Sequence, residues 1–456
     1  MLNKIDNFLV KCFNIHPIDV HEVFTPTVCA TYNYVPRKKL EQSLTDNFDI
    51  PGLQLVVYGH SGSGKTTIVR SLLHKNKIKH ITTKCESSTK YTDILLDAFD
   101  QLDPFATSQK GFSKSSQWNG QIKKEYKGLQ AQISNTSTTT EDIKQTRILP
   151  PQLTAARLAN MLGRLGLVWV IEDFHKVEIE EKHHLADLLK VFVDNANDYP
   201  KTKIICIGAC NSAQELISLD SNIRNRIAQI HVQMLSNEEL TNIVTNGAKL
   251  LNIVIDDALT QKIVYYSGRI GATAHNMCLD ICKANGIQKR QRVPITIYDN
   301  AFNIAVQEFM NRNSDTLKTI YDAAVANELG WYILKTFSCN SHEKLSINEI
   351  EKRVNMSKRI FNKNEISDKL SELSSEQYKV LYYHKSSNLY SIANPFWKAF
   401  LRMQFAIEQS EQNESKKDKA NLNLRIINQN DSDAIVEKLI LELLDKLQKI
   451  TGNSIN

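Results

Sequence analysis

Apolar residues collect in three short runs along the chain, within residues 52–58 (GLQLVVY), 167–171 (LVWVI) and 203–207 (KIICI). β-Branched and aromatic residues dominate them, the pattern of strands buried on both faces. Weaker strands are expected at Ile78–Cys85 and Ile227–Val232. Between the strands the apolar spacing changes to three and four. This predicts helices up to about His74, over Tyr91–Leu102, from near Thr154, and across 176–198, where Leu185, Leu188, Leu189 and Phe192 share one face. Strands alternating with helices predict an α/β fold with a parallel sheet. From Ser236 onward the strand signals fade. Asn237–Leu251, Asp256–Tyr266 and Ala272–Asn285 read as a small helical bundle, with Gly268 and Gly271 between the last two. Residues 317–405 then read as three helices, a hairpin of Lys379–His384 and Leu389–Ile392, and a last helix after Asn394-Pro395, the order of a winged helix.

Two stretches break this rhythm. Residues 103–150 are rich in Ser, Thr, Gln, Asn and Lys and poor in apolar residues, so an insertion is expected there, partly mobile or ordered by a partner. Residues 408–430 are linker-like, and 431–450 form an amphipathic helix with Ile435, Leu439, Ile440, Leu443 and Leu447 at helical spacing. That stripe implies docking onto this chain or another protein. The expected division is a lead-in at 1–50, an α/β core at 51–235 holding the 103–150 insertion, a helical lid at 236–312, a winged helix at 313–407, and a linker with C-terminal helix at 408–456.

Composition narrows the class. At 456 residues with 42% hydrophobic and 23% charged residues, the chain has room for two to four domains, and global disorder is excluded. No run approaches the length of a membrane span. Lys4, Asp6, Asn7 and Lys11 interrupt the N-terminus, so no signal peptide is expected. The eight cysteines include no CxxC pair. Cys206/Cys210 and Cys278/Cys282 are spaced four apart without a histidine to complete a zinc site, so buried, reduced thiols in a cytoplasmic protein are expected. A net charge of +6 is too mild at this size to indicate nucleic acid by itself.

Directly after the first apolar run comes Gly59-His60-Ser61-Gly62-Ser63-Gly64-Lys65-Thr66, which fits G-x-x-x-x-G-K-[ST] at every fixed position. Glycines let the backbone turn tightly, so that successive N–H groups face phosphate oxygens, and the helix that follows, through Thr67, adds its positive N-terminal end. Lys65 would reach the β- and γ-phosphates of ATP, and the Thr66 hydroxyl would hold Mg2+. Such a site needs an acid at the end of a neighbouring strand. Val168–Asp173 supplies Glu172 and Asp173, of which one would bind the metal through water and the other polarise the attacking water. The order, Glu before Asp, puts the shorter acid in the second place and implies slow hydrolysis. His175, two residues on, reads as a helix-start residue.

With these motifs, residues 20–405 resemble AAA+ and STAND-type P-loop ATPases, in particular the origin-recognition-like and bacterial ATP-binding branches. Tyr34-Val-Pro-Arg37 with Leu40-Glu41 resembles the box that precedes such domains and lies near adenine, with Pro36 in place of the usual glycine. This makes Arg37 a nucleotide-binding candidate. Ile204–Asn211 is similar to the sensor-1 strand, which makes Asn211 the residue facing the γ-phosphate. Arg224 or Arg226, ahead of Ile227–Val232, stands where the family places an arginine finger that reaches the next subunit. Met234–Leu240 resembles the opening of the helical lid, with Ser236 and Glu239 forming a capping box. Gly268–His275 lies at the sensor-2 position without its proline. Arg269 precedes the helix, and His275 reads as a packed residue.

Residues 341–407 hold eleven Lys and Arg against seven Asp and Glu, a net of +4. Yet the candidate recognition helix, Asn364–Leu373, carries Lys369 among Glu365, Asp368 and Glu372, which favours protein contact over DNA. The resemblance implies an ATP-hydrolysing homo-oligomeric switch that gates a separate effector, in the manner of bacterial anti-phage modules. The alternative is a DNA-bound initiator or transposition helper.

Overall fold

The computed structural model describes residues 18–102, 154–209, 221–339, 343–356, 359–385 and 387–411. The expected insertion at 103–150, Asn211 and the 431–450 helix lie outside the described residues. The chain divides into two compact units, one of Met1–Asn311 with Asn394–Phe396, the other of Arg312–Ala393 with Trp397–Asn456.

In the first unit the apolar runs form the strands of a parallel sheet: β1 (Gln54–Tyr58), β2 (His80–Lys84), β3 (Val168–Glu172), β4 (Ile204–Gly208) and β5 (Ile227–His231), ordered β2-β3-β4-β1-β5. Alternate residues serve opposite faces. Leu55, Val57, Val168, Val170, Ile205 and Ile207 pack with α1 (Lys38–Asp49) and α2 (Lys65–Lys75). Val56, Trp169, Ile171, Ile204 and Cys206 pack on the other side with α3 (Tyr91–Asp100), α4 (Ala155–Leu165) and α5 (Ile179–Asp194). Leu185, Leu188, Leu189 and Phe192 face that core as their spacing implied. Thr154 caps α4, its side chain accepting from the Arg157 amide, and Gly166 ends the helix in the left-handed conformation.

The lid comprises α6 (Asn237–Leu251), α7 (Asp257–Tyr266) and α8 (Gly271–Ala284). It is not purely helical, as the fading strand signals had suggested. Two three-residue strands, β6 (Ile253–Ile255) and β7 (Ile295–Ile297), pair in parallel beside it. Strands this short carry too few residues for a period to show.

The second unit contains a run of short elements that begins with α9 (Glu328–Cys339) and continues with β8 (Lys344–Ser346), α10 (Ile347–Val354), α11 (Lys363–Leu373), β9 (Leu381–His384) and β10 (Leu389–Ile392), then helical residues 397–411. Its antiparallel sheet is ordered β8-β10-β9. β8 was not anticipated. β9 starts two residues later than expected because Lys379 takes a left-handed φ of 48°. No helix among the described residues is long and apolar enough to cross a membrane.

Candidate functional site

β1 ends at Tyr58 and α2 starts at Lys65, so the glycine-rich motif is the whole connection between them. Its conformation requires glycine. Gly62 and Gly64 have φ of 78° and 89°, and a Cβ on Gly59 would fall 2.3 Å from the Val232 carbonyl oxygen. Lys65 Nζ donates to the Gly59 carbonyl at 3.0 Å and the His60 carbonyl at 2.9 Å, across the mouth of the loop. His60 and Ser61 are exposed, Thr66 and Thr67 half-buried in the first turn of α2. Ser63 is buried, and its Oγ has no hydrogen-bond partner among the described residues. No Asp or Glu occurs between Asp49 and Glu86, so the loop and helix sit in a stretch charged only by lysines and Arg70. Backbone amides, the Lys65 ammonium group and a stretch of positive charge in which Lys75 pairs with Glu41 suit a polyphosphate.

β3 delivers the acids. Glu172 is its last residue and, with Thr66, lines a cleft of about 580 Å3 between α2 and the β2–β3 edge. The chain then turns sharply, Asp173 adopting a φ of 59°, and Asp173 Oδ2 accepts from Lys176 Nζ at 2.8 Å. That hydrogen bond raises the Lys176 pKa. The two acids therefore occupy different surroundings. His175 sits in the 3-10 turn Phe174–Lys176 with a buried Nδ1 that has no hydrogen-bond partner among the described residues. Burial lowers its pKa, Asp173 opposes this, and Lys176, Lys65 and Lys182 lower it further. Cys85, at the end of β2, is pushed up to about 12 by burial and by Asp173, so it is an inert thiol.

The remaining candidates fall around this centre. The Arg37 guanidinium bonds to protein acceptors: Glu239 Oε1 at 3.0 Å, the Gln233 carbonyl at 2.9 Å and the Ser63 carbonyl at 3.3 Å. Arg269, in a left-handed turn, donates to the carbonyls of Leu235 at 3.0 Å and Met234 at 3.4 Å. His275 is packed in α8, its Nδ1 accepting from the Thr25 amide at 3.1 Å. Arg224 is exposed, and Arg226 lies 3.6 Å from Asp194 of its own chain. Cys85, Cys206, Cys278 and Cys282 are buried free thiols, and no cluster of three or more His, Cys, Asp or Glu suited to a metal occurs among the described residues.

Sequence reasoning missed Lys176 as the partner of Asp173 and Glu239 as the partner of Arg37. Glu239 was visible only as a helix cap. Its second role joins residues 202 positions apart, which no local pattern reveals.

The sheet order, with β4 between the strand that ends in the loop and the strand that ends in the acids, defines a P-loop NTPase fold. Residues 39–198 match the family described as AAA ATPase domain, and the chain is an ATPase of the P-loop class. No curated protein matches it. Among solved structures it is similar to a Walker-type ATPase of Pyrococcus abyssi, at 14% identity over 81% of this chain and 96% of that one, with a TM-score of 0.48. It is also similar to the ORC2 protein of Aeropyrum pernix, at 14% over 86% and 98% with a TM-score of 0.43. A third is Cdc6p of Pyrobaculum aerophilum, at 13% over 86% and 99% with a TM-score of 0.40.

Proposed function

We propose that the chain is an ATP-driven switch of the AAA+ kind, in which the lid carries the nucleotide state of the loop to a partner through a head-to-tail homo-oligomer. The observation that carries this reading is the direct contact of loop and lid: a Cβ on Gly62 would fall 2.9 Å from Ile270 Cγ2. Anything that reshapes the loop presses on the lid.

In this reading residues 59–67 hold the phosphates of ATP. Mg2+, a hard cation that takes oxygen ligands, suits the Thr66 hydroxyl and the Glu172 carboxylate on one cleft. Asp173 stands next to them as the base that polarises the attacking water. Asn211 is the proposed γ-phosphate sensor, and Arg224 or Arg226 the finger presented to the next subunit. A separate effector, and a place in antiviral defence, rest on the resemblance alone.

The C-terminal unit is read as a winged helix that contacts protein. Lys369, the cation of its candidate recognition helix, is only 5% exposed and pairs with Glu372 at 2.9 Å. The exposed charges of α11 are then Lys363 against Glu365, Asp368 and Glu372, a poor match to DNA phosphates.

Mass measurement in solution tests the reading. Larger assemblies are expected with ATP than with ADP in an Asp173→Asn background, which keeps nucleotide binding and loses hydrolysis, and their loss on Arg224→Ala or Arg226→Ala. A monomer under all conditions, with wild-type hydrolysis in both arginine variants, overturns the switch. Tight, salt-sensitive binding to duplex DNA would favour the initiator reading instead.

A further inference from the structure

We infer that Arg37 is a positioning residue that couples the lid to the phosphate loop, not a ligand of the nucleotide. The inference rests on the switch reading above and names the part that transmits it.

The Arg37 side chain is 15% exposed, and its guanidinium is divided among three pieces of the first unit. Nε donates to Glu239 on lid helix α6, while Nη1 donates to Gln233 in the connector leading into the lid and to Ser63 in the loop. A guanidinium presents five donors in a rigid planar fork, which fixes the directions of its acceptors more firmly than the three rotatable donors of an ammonium group on a flexible stem. Glu239 is itself fixed. Its Oε2 accepts from the Ser236 amide at 2.8 Å, and its amide donates to Ser236 Oγ at 3.1 Å. The carboxylate thus caps α6 with one oxygen and holds Arg37 with the other.

The segment carrying Arg37 is anchored as firmly on its own side. Glu41 Oε1 accepts from Tyr34 Oη at 2.6 Å and from the Arg37 amide at 3.3 Å, and Glu41 Oε2 from Lys75 Nζ at 2.6 Å. Burial pushes the Glu41 carboxyl up, but the hydrogen bonds from Lys75 and Tyr34 outweigh it and hold the pKa below its ordinary value. Residues 34–41 therefore touch α2 at both ends: Ser63 just ahead of its N-terminus and Lys75 in its last turn. Arg269 grips the same connector from the lid side, through Leu235 and Met234. A lid that swings on this connector must break the Arg37 fork or carry the Ser63 carbonyl with it.

The test uses the full chain with Arg37→Gln, Glu239→Gln, the double variant and Arg37→Lys. Two quantities are read: affinity for a fluorescent ADP, and amide hydrogen exchange of residues 59–66 and 237–251 without nucleotide. Each single variant is expected to weaken binding about tenfold, the size of one lost charge-assisted hydrogen bond. The double variant should be no weaker than either single one, because both remove the same link. Exchange should rise in both segments of each single variant. Arg37→Lys, which keeps the charge and loses the fork, should shift in the same direction by less, and it serves if Arg37→Gln fails to fold. Loss of affinity in Arg37→Gln with none in Glu239→Gln, multiplying effects, or unchanged exchange would overturn the inference. A wild-type chain that binds no nucleotide would count against the switch reading, while the exchange arm would still decide the link.

Discussion

Lys176 Nζ lies 2.8 Å from Asp173 Oδ2, three residues away across a left-handed turn, while the preceding Glu172 shares a cleft with Thr66. Adjacent acids are thereby given unlike surroundings. Glu172 extends the strand toward the hydroxyl proposed to hold the metal, and Asp173 leaves the sheet toward a cation. The two should fail in different ways. Glu172→Gln is expected to weaken magnesium-dependent nucleotide binding as well as hydrolysis. Asp173→Asn should keep binding and lose hydrolysis by about 10²-fold or more. Binding titrations with and without Mg2+, next to steady-state ATPase rates, would separate them. Equal, wild-type turnover in both variants would remove the assignment.

Lys65 gives a second prediction. Its ammonium spans the loop mouth on two backbone carbonyls, so Lys65→Ala removes both a cation for phosphate and two bonds that brace the loop. Binding of ATP should fall below detection in calorimetry while the melting temperature changes by only a few degrees, since the group is part-exposed and outside the core. A variant that binds ATP normally would contradict the role of the loop.

The sheet and loop were legible because their determinants are local. Three buried strands, two partly exposed ones and a glycine motif each announce themselves within ten residues. Trp169 in the run 167–171 is buried with its Nε1 donating to Thr83 Oγ1 at 3.0 Å, so even its polar atom is satisfied inside the sheet. The strands β6, β7 and β8 were not legible, since three residues carry no period and their partners lie far along the chain. Lys369 was counted among the charges of the candidate recognition helix, and its burial was not legible for a related reason. A lysine stem packs like an apolar residue, and only the fold shows that its head turns back to Glu372. The Arg37–Glu239 link was invisible because nothing near either residue encodes the other.

Gly247, in the middle of α6, sets local propensity against packing. Alanine is the better helix former by about 1 kcal/mol. A Cβ there would lie 2.4 Å from Phe24 Cε1 and 2.8 Å from Asn33 Nδ2, and Asn33 Nδ2 donates to the Ile243 carbonyl at 2.9 Å. Phe24 and Asn33 are both buried and have no room to give. Gly247→Ala should therefore destabilise the protein by about 1–3 kcal/mol, the usual cost of overpacking. A raised melting temperature would show that the helix and the residues before α1 are not packed together.

His275 supplies a pH prediction whose sign follows from its burial. The ring is 5% exposed, stands edge-on to Phe24 with centroids 6.0 Å apart, and accepts from the Thr25 amide through Nδ1. An imidazole that accepts there must be neutral at that nitrogen, and burial lowers its pKa to about 4 from the ordinary 6.5. Between those values the unfolded chain binds a proton that the folded chain refuses. Stability from this group is therefore complete above about pH 6.5 and is lost as pH falls toward 4. From pH 7 to pH 5 the loss is about 2 kcal/mol. His275→Gln keeps an acceptor for the Thr25 amide and has nothing to titrate, so its stability should fall less over the same interval. Chemical denaturation of both proteins at pH 7, 6 and 5 measures the difference. Parallel curves would mean that His275 is protonated within the fold, and that the Thr25 amide is held by another acceptor.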